Sequence, residues 1–251
     1  MGALGYFTSS RYVFFATAAL IVPTLIVLFQ IRPNEIDPIR AHGGKHDIGV
    51  RRLGAGLMAL VGNRPLMILA ACALLFHLAN AAMLPLMGSL LTTRSSTWAT
   101  VAIAACIVVP QLVVAAFSPW VGRQAQQWGR RPLLLLGFAA LPIRGVLFGL
   151  VTDPSLVVAV QLLDGISAAV LGVLIPLVVA DTTLGTGRFN LAQGVVGSAV
   201  GIGASLSTTL AGYVSDYLGS TAAFLGLAGL GLVGLILVWL ALPETRPDAL
   251  D

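Results

Sequence analysis

The sequence predicts an all-α membrane protein, a bundle of seven transmembrane helices, and three observations carry that prediction. Of 251 residues, 57% are hydrophobic and only 10% charged, with a mean hydropathy of +0.95, which leaves too little polar surface to coat a water-soluble globule. The apolar residues are gathered into continuous runs near the length of about 20 that a helix needs to cross hydrocarbon. The runs do not alternate and are too long for the strands of a barrel. The basic residues, finally, fall almost entirely into alternate connections between the runs, the pattern of a chain threaded through a bilayer.

The first run spans residues 12–31. The opening MGALGYFTSSRY lacks a basic leader and no small-residue cleavage site closes the run, so it reads as a span and not as a signal peptide. The connection 32–64 begins as a polar linker, IRPNEIDPIRAHGGKHD. Asp47 then stands where it can cap a short helix in which Leu53, Leu57, Leu60 and Val61 share one face while Arg51 and Arg52 lie off it. That segment suits either a helix lying at an anionic inner surface or an irregular linker. Six further runs follow, at 66–91, 98–121, 132–151, 155–180, 190–213 and 221–242. GVVGSAVGIGAS and GLAGLGLVG, in the last two, let neighbouring backbones approach closely where lipid gives no hydrophobic drive to association. Pro23, Pro85, Pro110, Pro142 and Pro176 fall inside runs, where a kink can serve as a joint and neighbours can satisfy the carbonyl each proline frees.

Counting Lys and Arg gives eleven in the connections 32–64, 122–131 and 182–189 with the tail after 243, against Arg11 and Arg94 in the other set. The positive-inside bias places the N-terminus outside and the C-terminus in the cytoplasm of a multi-pass cell-membrane protein. The net charge of +4 belongs to that asymmetry, and the expected partner is the bilayer, with no nucleic acid. Cys72 and Cys106 lie in apolar runs with neither CxxC spacing nor a histidine cluster, so they read as packing residues, with no disulfide, metal or cofactor expected.

Between the third and fourth runs stands GRQAQQWGRR, residues 122–131. With Gly122, Gly129, Arg130 and Arg131 in place, it resembles the turn that joins the second and third helices of each half of the major facilitator superfamily of transporters. Gln126 takes the position where that family carries an acidic residue, so the carboxylate expected to clamp a neighbouring helix end is missing. The remainder keeps a physical rationale, because glycine permits a tight reversal and guanidinium groups can bond the free carbonyls of a helix C-terminus. The position of the turn after the third run, and of the long basic linker after the first, fits one register of the family. AGYVSDYLGSTAAF (211–224) loosely matches LGYFTSSRYVFF (4–15) at positions that a two-half repeat would equate. The resemblance implies that residues 1–31 are the last helix of an N-terminal half, 32–64 the central cytoplasmic linker, and 65–251 the six-helix C-terminal half with a short tail. It implies also that about five helices are absent on the N-terminal side, leaving the MFS-like bundle incomplete and in need of the missing half or a second chain.

Polar residues inside the runs are the candidates for chemistry, since a charge in mid-membrane costs roughly 2.5 to 3.5 kcal/mol. His77 and Asn80 are three apart and share a helix face, as do Gln161 and Asp164. By position these two runs resemble the cavity-lining first and fourth helices of the second half, although Gln161 stands where the family pattern has Arg. Asp164 near His77 can take up and release a proton as its solvation changes, while His77 can equally be a packing histidine. Arg144, on the adjacent run, is placed to pair with Asp164, either as a fixed clamp or as a partner that exchanges with a proton. Gln111, Asn190 and Gln193 are single amides of the kind that bond neighbouring helices, and Asp181 and Arg188 read as solvated caps.

A seven-helix receptor shares the topology, but Lys45, the only lysine, lies in a loop, so a retinal-type Schiff base has no helical lysine. HExxH and GxSxG are both missing, so no hydrolase signature is present. The expectation is a non-enzymatic secondary carrier for efflux of a small organic solute, proton-coupled and working by alternating access. The alternatives are a seven-helix receptor-type protein, or a membrane fragment or half-transporter that does not itself transport and needs a partner chain.

Overall fold

The computed structural model describes residues 10–32, 53–94 and 96–246. These form helices α1 (Ser10–Ala19), α2 (Ile21–Gln30), α3 (Leu53–Val61), α4 (Arg64–Asn80), α5 (Met83–Arg94), α6 (Ser96–Gln127), α7 (Arg130–Leu150), α8 (Pro154–Val160), α9 (Leu162–Thr183), α10 (Phe189–Leu218) and α11 (Ser220–Ala241). The GY match at residues 5–6, Lys45, Asp47, Arg51 and Arg52 lie outside the described residues.

Among the described residues, six helical stretches are long and apolar enough to cross a bilayer: Arg64–Thr93, Val101–Gln127, Arg130–Leu150, Pro154–Thr183, Phe189–Leu218 and Ser220–Ala241. They correspond to the second to seventh runs. The first run forms a shorter apolar helix, Phe14–Gln30, interrupted at Leu20 and exposed along its length, Phe29 to 84%. Proline explains the interruption. A proline at position i lacks the N–H that would bond residue i−4 and crowds that carbonyl. α1 ends at Ala19, four residues before Pro23, and the break between α4 and α5 starts at Ala81, four before Pro85. Pro110, Pro119, Pro142 and Pro176 are instead accommodated inside continuous helices.

The six spans pack most extensively as the pairs α7 with α11, α4 with α10 and α6 with α9. Small residues set the closest approaches. A Cβ on Gly203 of α10 would lie 2.3 Å from the Leu74 carbonyl oxygen of α4, and one on Gly165 of α9 would lie 2.7 Å from that of Pro110 on α6. Around these contacts a buried apolar core runs through Leu69, Phe76, Phe138, Leu174 and Phe224. α6 and α10 are the least buried spans. α3 packs beside α4, with Leu60 buried but Leu57 and Val61 exposed, so the expected apolar stripe is divided between core and surface.

Candidate functional site

The two spans that are broken in mid-course, α4–α5 and α8–α9, deliver the polar residues. α4 ends at Asn80 and α5 begins at Met83, and both side chains turn onto Arg144 of α7. The guanidinium is 2% exposed and Asp164 26%. Nη1 of Arg144 donates to Oδ1 of Asp164. Nη2 donates to Oδ1 of Asn80 at 2.5 Å and to the Met83 thioether at 3.2 Å, and Nε reaches the same sulfur at 3.3 Å. The Phe148 ring lies 5.7 Å from the guanidinium carbon. A sealed cation is tolerable only when partnered, and here one carboxylate, one amide, one thioether and a ring face supply the partners.

Asp164 reaches past this cage into an open cleft of about 420 Å³, lined also by Phe76, His77, Asn80, Leu171, Ile175 and Pro176. Of the residues singled out in the sequence, the structure thus brings His77, Asn80, Arg144 and Asp164 together. It separates two others. Gln111 lies on the exposed face of α6, outside the cleft lining. Gln161 is a correction: it is 0% exposed and turns away from the cleft to donate from Nε2 to the Cys106 carbonyl at 3.2 Å. Cys106 is four residues before Pro110, so Gln161 satisfies the carbonyl that Pro110 orphans in α6. Its structural duty accounts for its burial, while its Oε1 has no partner among the described residues.

The arginine-rich turn also differs from expectation. Gly122 and Gln126 are helical, α6 running to Gln127, and the reversal is confined to Trp128 and Gly129. Gly122 has no close neighbour, whereas Gly129 has φ +94° and a Cβ there would lie 2.4 Å from a Glu244 carboxylate oxygen. Exposed Gln126 leaves the acidic role vacant, and Glu244 of the tail fills it from elsewhere in the chain. Its carboxylate accepts from the backbone N–H of Arg130 at 2.8 Å and of Arg131 at 3.1 Å, capping α7, and from those of Thr245 and Arg246. Partial burial pushes this carboxyl up, but the backbone donors of Arg130, Arg246, Arg131 and Thr245 outweigh it and hold Glu244 below the usual carboxylate range.

Asp181, read from sequence as a solvated cap, instead forms an ion pair with Arg130 at 3.0 Å, both side chains largely buried. Arg130 also bonds the Ala125 carbonyl, Arg131 the Trp239 carbonyl, and Arg246 the Gln126 and Gln127 carbonyls. Guanidinium groups therefore do cover the carbonyls that end α6 and α11. Asn63, which drew no notice in the sequence, caps α4 through Leu66 N–H at 3.2 Å and donates to the Thr182 carbonyl at 3.0 Å. Its signal was present: Asn followed by Arg-Pro at a helix start is a capping pattern. Among the described residues, no three His, Cys, Asp or Glu side chains gather as a metal site requires.

Six apolar helices of spanning length, closed around a buried ion pair that borders a cleft, define a multi-pass helical membrane protein with a charged site in its interior. Residues 69–251 match the family profile described as Major Facilitator Superfamily. The chain belongs to that superfamily. It is 41% identical over 245 residues to an uncharacterized MFS-type transporter of Mycobacterium tuberculosis, covering 97% of this chain and 59% of that protein. It is also 28% identical over 113 residues to Multidrug resistance protein 2 of Bacillus subtilis, covering 45% of this chain and 27% of that one. A third relative is the class B tetracycline resistance protein of Escherichia coli, 27% identical over 135 residues, or 54% of this chain and 33% of that protein. The chain spans about 59% of the length of the mycobacterial relative.

Proposed function

We propose that the chain is the C-terminal portion of a proton-coupled secondary transporter that exports a small organic solute by alternating access. In this reading residues 1–31 end a first half, 32–64 are its linker to the second, and 65–251 are the second six-helix half. The single observation that carries the reading is the Arg144–Asp164 pair, sealed on one side and open to a cleft on the other. The Asp164 carboxylate pairs with the Arg144 guanidinium. Protonation cancels that charge, releases the guanidinium contact and changes what the cleft attracts, so proton movement and solute occupancy become linked. His77, on the same cleft, is placed to hand the proton on. The walls formed by Phe76, Leu171, Ile175 and Pro176 suit a neutral or amphipathic solute.

Support for a two-half carrier comes from coverage and from surface. The mycobacterial relative is longer than the chain, and the poorly buried α6 and α10 carry faces a second half would cover. At the opposite extreme, the Arg130–Asp181 and Glu244 contacts tie α6, α7, α9 and the tail after α11 into one body, as rigid rocking of a half requires. The positive-inside bias places this tied end in the cytoplasm. The names of the Bacillus subtilis and Escherichia coli relatives, which speak of resistance, favour export.

The test is pH-gradient-driven flux in vesicles carrying the assembled transporter with Asp164→Asn. Asparagine keeps an acceptor for Arg144 but cannot ionise. Gradient-driven flux should fall at least about hundred-fold, as expected when an essential proton-transfer group is removed, with assembly retained. Unimpaired flux refutes the coupling role.

A further inference from the structure

Asn80 and Met83 grip Arg144 from the two lips of a helix break, and α10 occupies that break. One turn before it, Gly203 presses backbone to backbone on Leu74 of α4. At the break, Ser207, fully buried, accepts the Ala82 N–H on Oγ at 3.0 Å. In an unbroken helix that N–H would bond the Leu78 carbonyl. Pro85 accounts for a break here, and the hydroxyl from α10 accounts for how the freed donor is satisfied. The Ala82 N–H thus has two possible acceptors, one on its own helix and one on α10, which is the setting of a two-state joint. The other side of α10 is open, with Ile202, Leu206 and Leu210 exposed, so whatever packs against that side can bias the helix.

We infer that Ser207, seated by Gly203, is a positioning residue that couples displacement of α10 to the Arg144–Asp164 pair. With Ser207 engaged, Asn80 and Met83 hold the guanidinium in line with Asp164. When α10 withdraws, the Ala82 N–H returns to Leu78, the lips of the break shift, and Arg144 loses the grip that keeps it on the carboxylate. The inference rests on the coupling role proposed for Asp164 and supplies its mechanical input. Among the described residues, the charged or titratable groups facing Asp164 are Arg144 from α7 and His77 from α4. α6 meets this part of α9 with Pro110 and Val113, and α10 brings the uncharged Ser207 to the break.

The experiment is the rate at which a hydrophobic carbodiimide modifies Asp164 at neutral pH in membranes, read by mass spectrometry of the peptide that contains it. The carbodiimide adds a protonated carboxyl across its C=N bond, the proton going to nitrogen; pairing with a guanidinium opposes that protonation, and release permits it. Loss of one net hydrogen bond corresponds to about a five-fold change, so Ser207→Ala should raise the rate by about that factor. Ser207→Thr, which keeps the hydroxyl, should stay near wild type, and Ser207→Cys, a weaker acceptor of similar size, should fall between. Asn80→Ala should raise the rate as well, and the double variant should rise less than the product of the two singles. Rates unchanged by Ser207→Ala and Ser207→Cys, or strict multiplicativity in the double variant, overturn the inference. The reactivity does not depend on flux. Asp164→Asn with full flux would therefore remove the coupling role while leaving this link measurable, and unchanged reactivity with lost flux would do the reverse.

Discussion

Gln161 stands only three residues before Asp164, yet its task is a different one: it decides whether α6 can carry a proline. Pro110 strips the Cys106 carbonyl of its helical donor, and the buried Gln161 amide replaces it at 3.2 Å. Leucine at position 161 would leave that carbonyl unsatisfied in an apolar interior, costing about 1 to 3 kcal/mol. Gln161→Leu should accordingly lower the thermal midpoint in detergent, and an unchanged midpoint would show the bond to be dispensable. Glutamine and aspartate three residues apart looked alike in the sequence, both being polar interruptions of an apolar run. What distinguished them lay on other helices: a proline 51 positions earlier for one, and an arginine for the other. Arg144 and Asp164 were legible because a mid-membrane charge demands an opposite one, and only one arginine stood within a run near the aspartate.

Helix ends and interruptions follow rules that sequence carries partly. The i−4 effect of proline locates the ends of α1 and α4, but which prolines break a helix and which merely sit in one depends on tertiary satisfaction of the freed carbonyl. The turn at Gly129 shows the same division. Its glycine and arginines were readable, while the carboxylate that caps α7 comes from Glu244, more than a hundred residues later, and no local pattern announces that return. An exposed carboxylate at a helix N-terminus contributes about 0.3 to 1 kcal/mol, so Glu244→Gln should destabilise the protein by about that amount at neutral pH. Because folding depresses the proton affinity of Glu244, its contribution is present above the usual carboxylate range and is lost as pH falls through and below that range. Thermal unfolding measured from neutral pH down to about pH 3 should show wild type and Glu244→Gln converging at the acid end. Curves that stay parallel would mean that the carboxylate charge contributes nothing.

For the molecule as a whole, composition and run length were enough for an all-helical membrane bundle, because bilayer thickness imposes its own length on the sequence. The pairing of α7 with α11 and α4 with α10 was not readable, since small residues that allow close approach recur on many faces. Every role proposed for a charge depends on the proposed threading, in which the arginine turn and Glu244 stand at the cytoplasmic end, the α7–α8 junction at the outer end, and Asp164 between them. A single cysteine placed at exposed Arg123, in a background where buried Cys72 and Cys106 are replaced by alanine, tests that threading with a membrane-impermeant thiol reagent. Labelling is expected in inside-out vesicles and not in intact cells; labelling of intact cells with inside-out vesicles unlabelled would reverse the bundle and overturn the threading on which these roles rest.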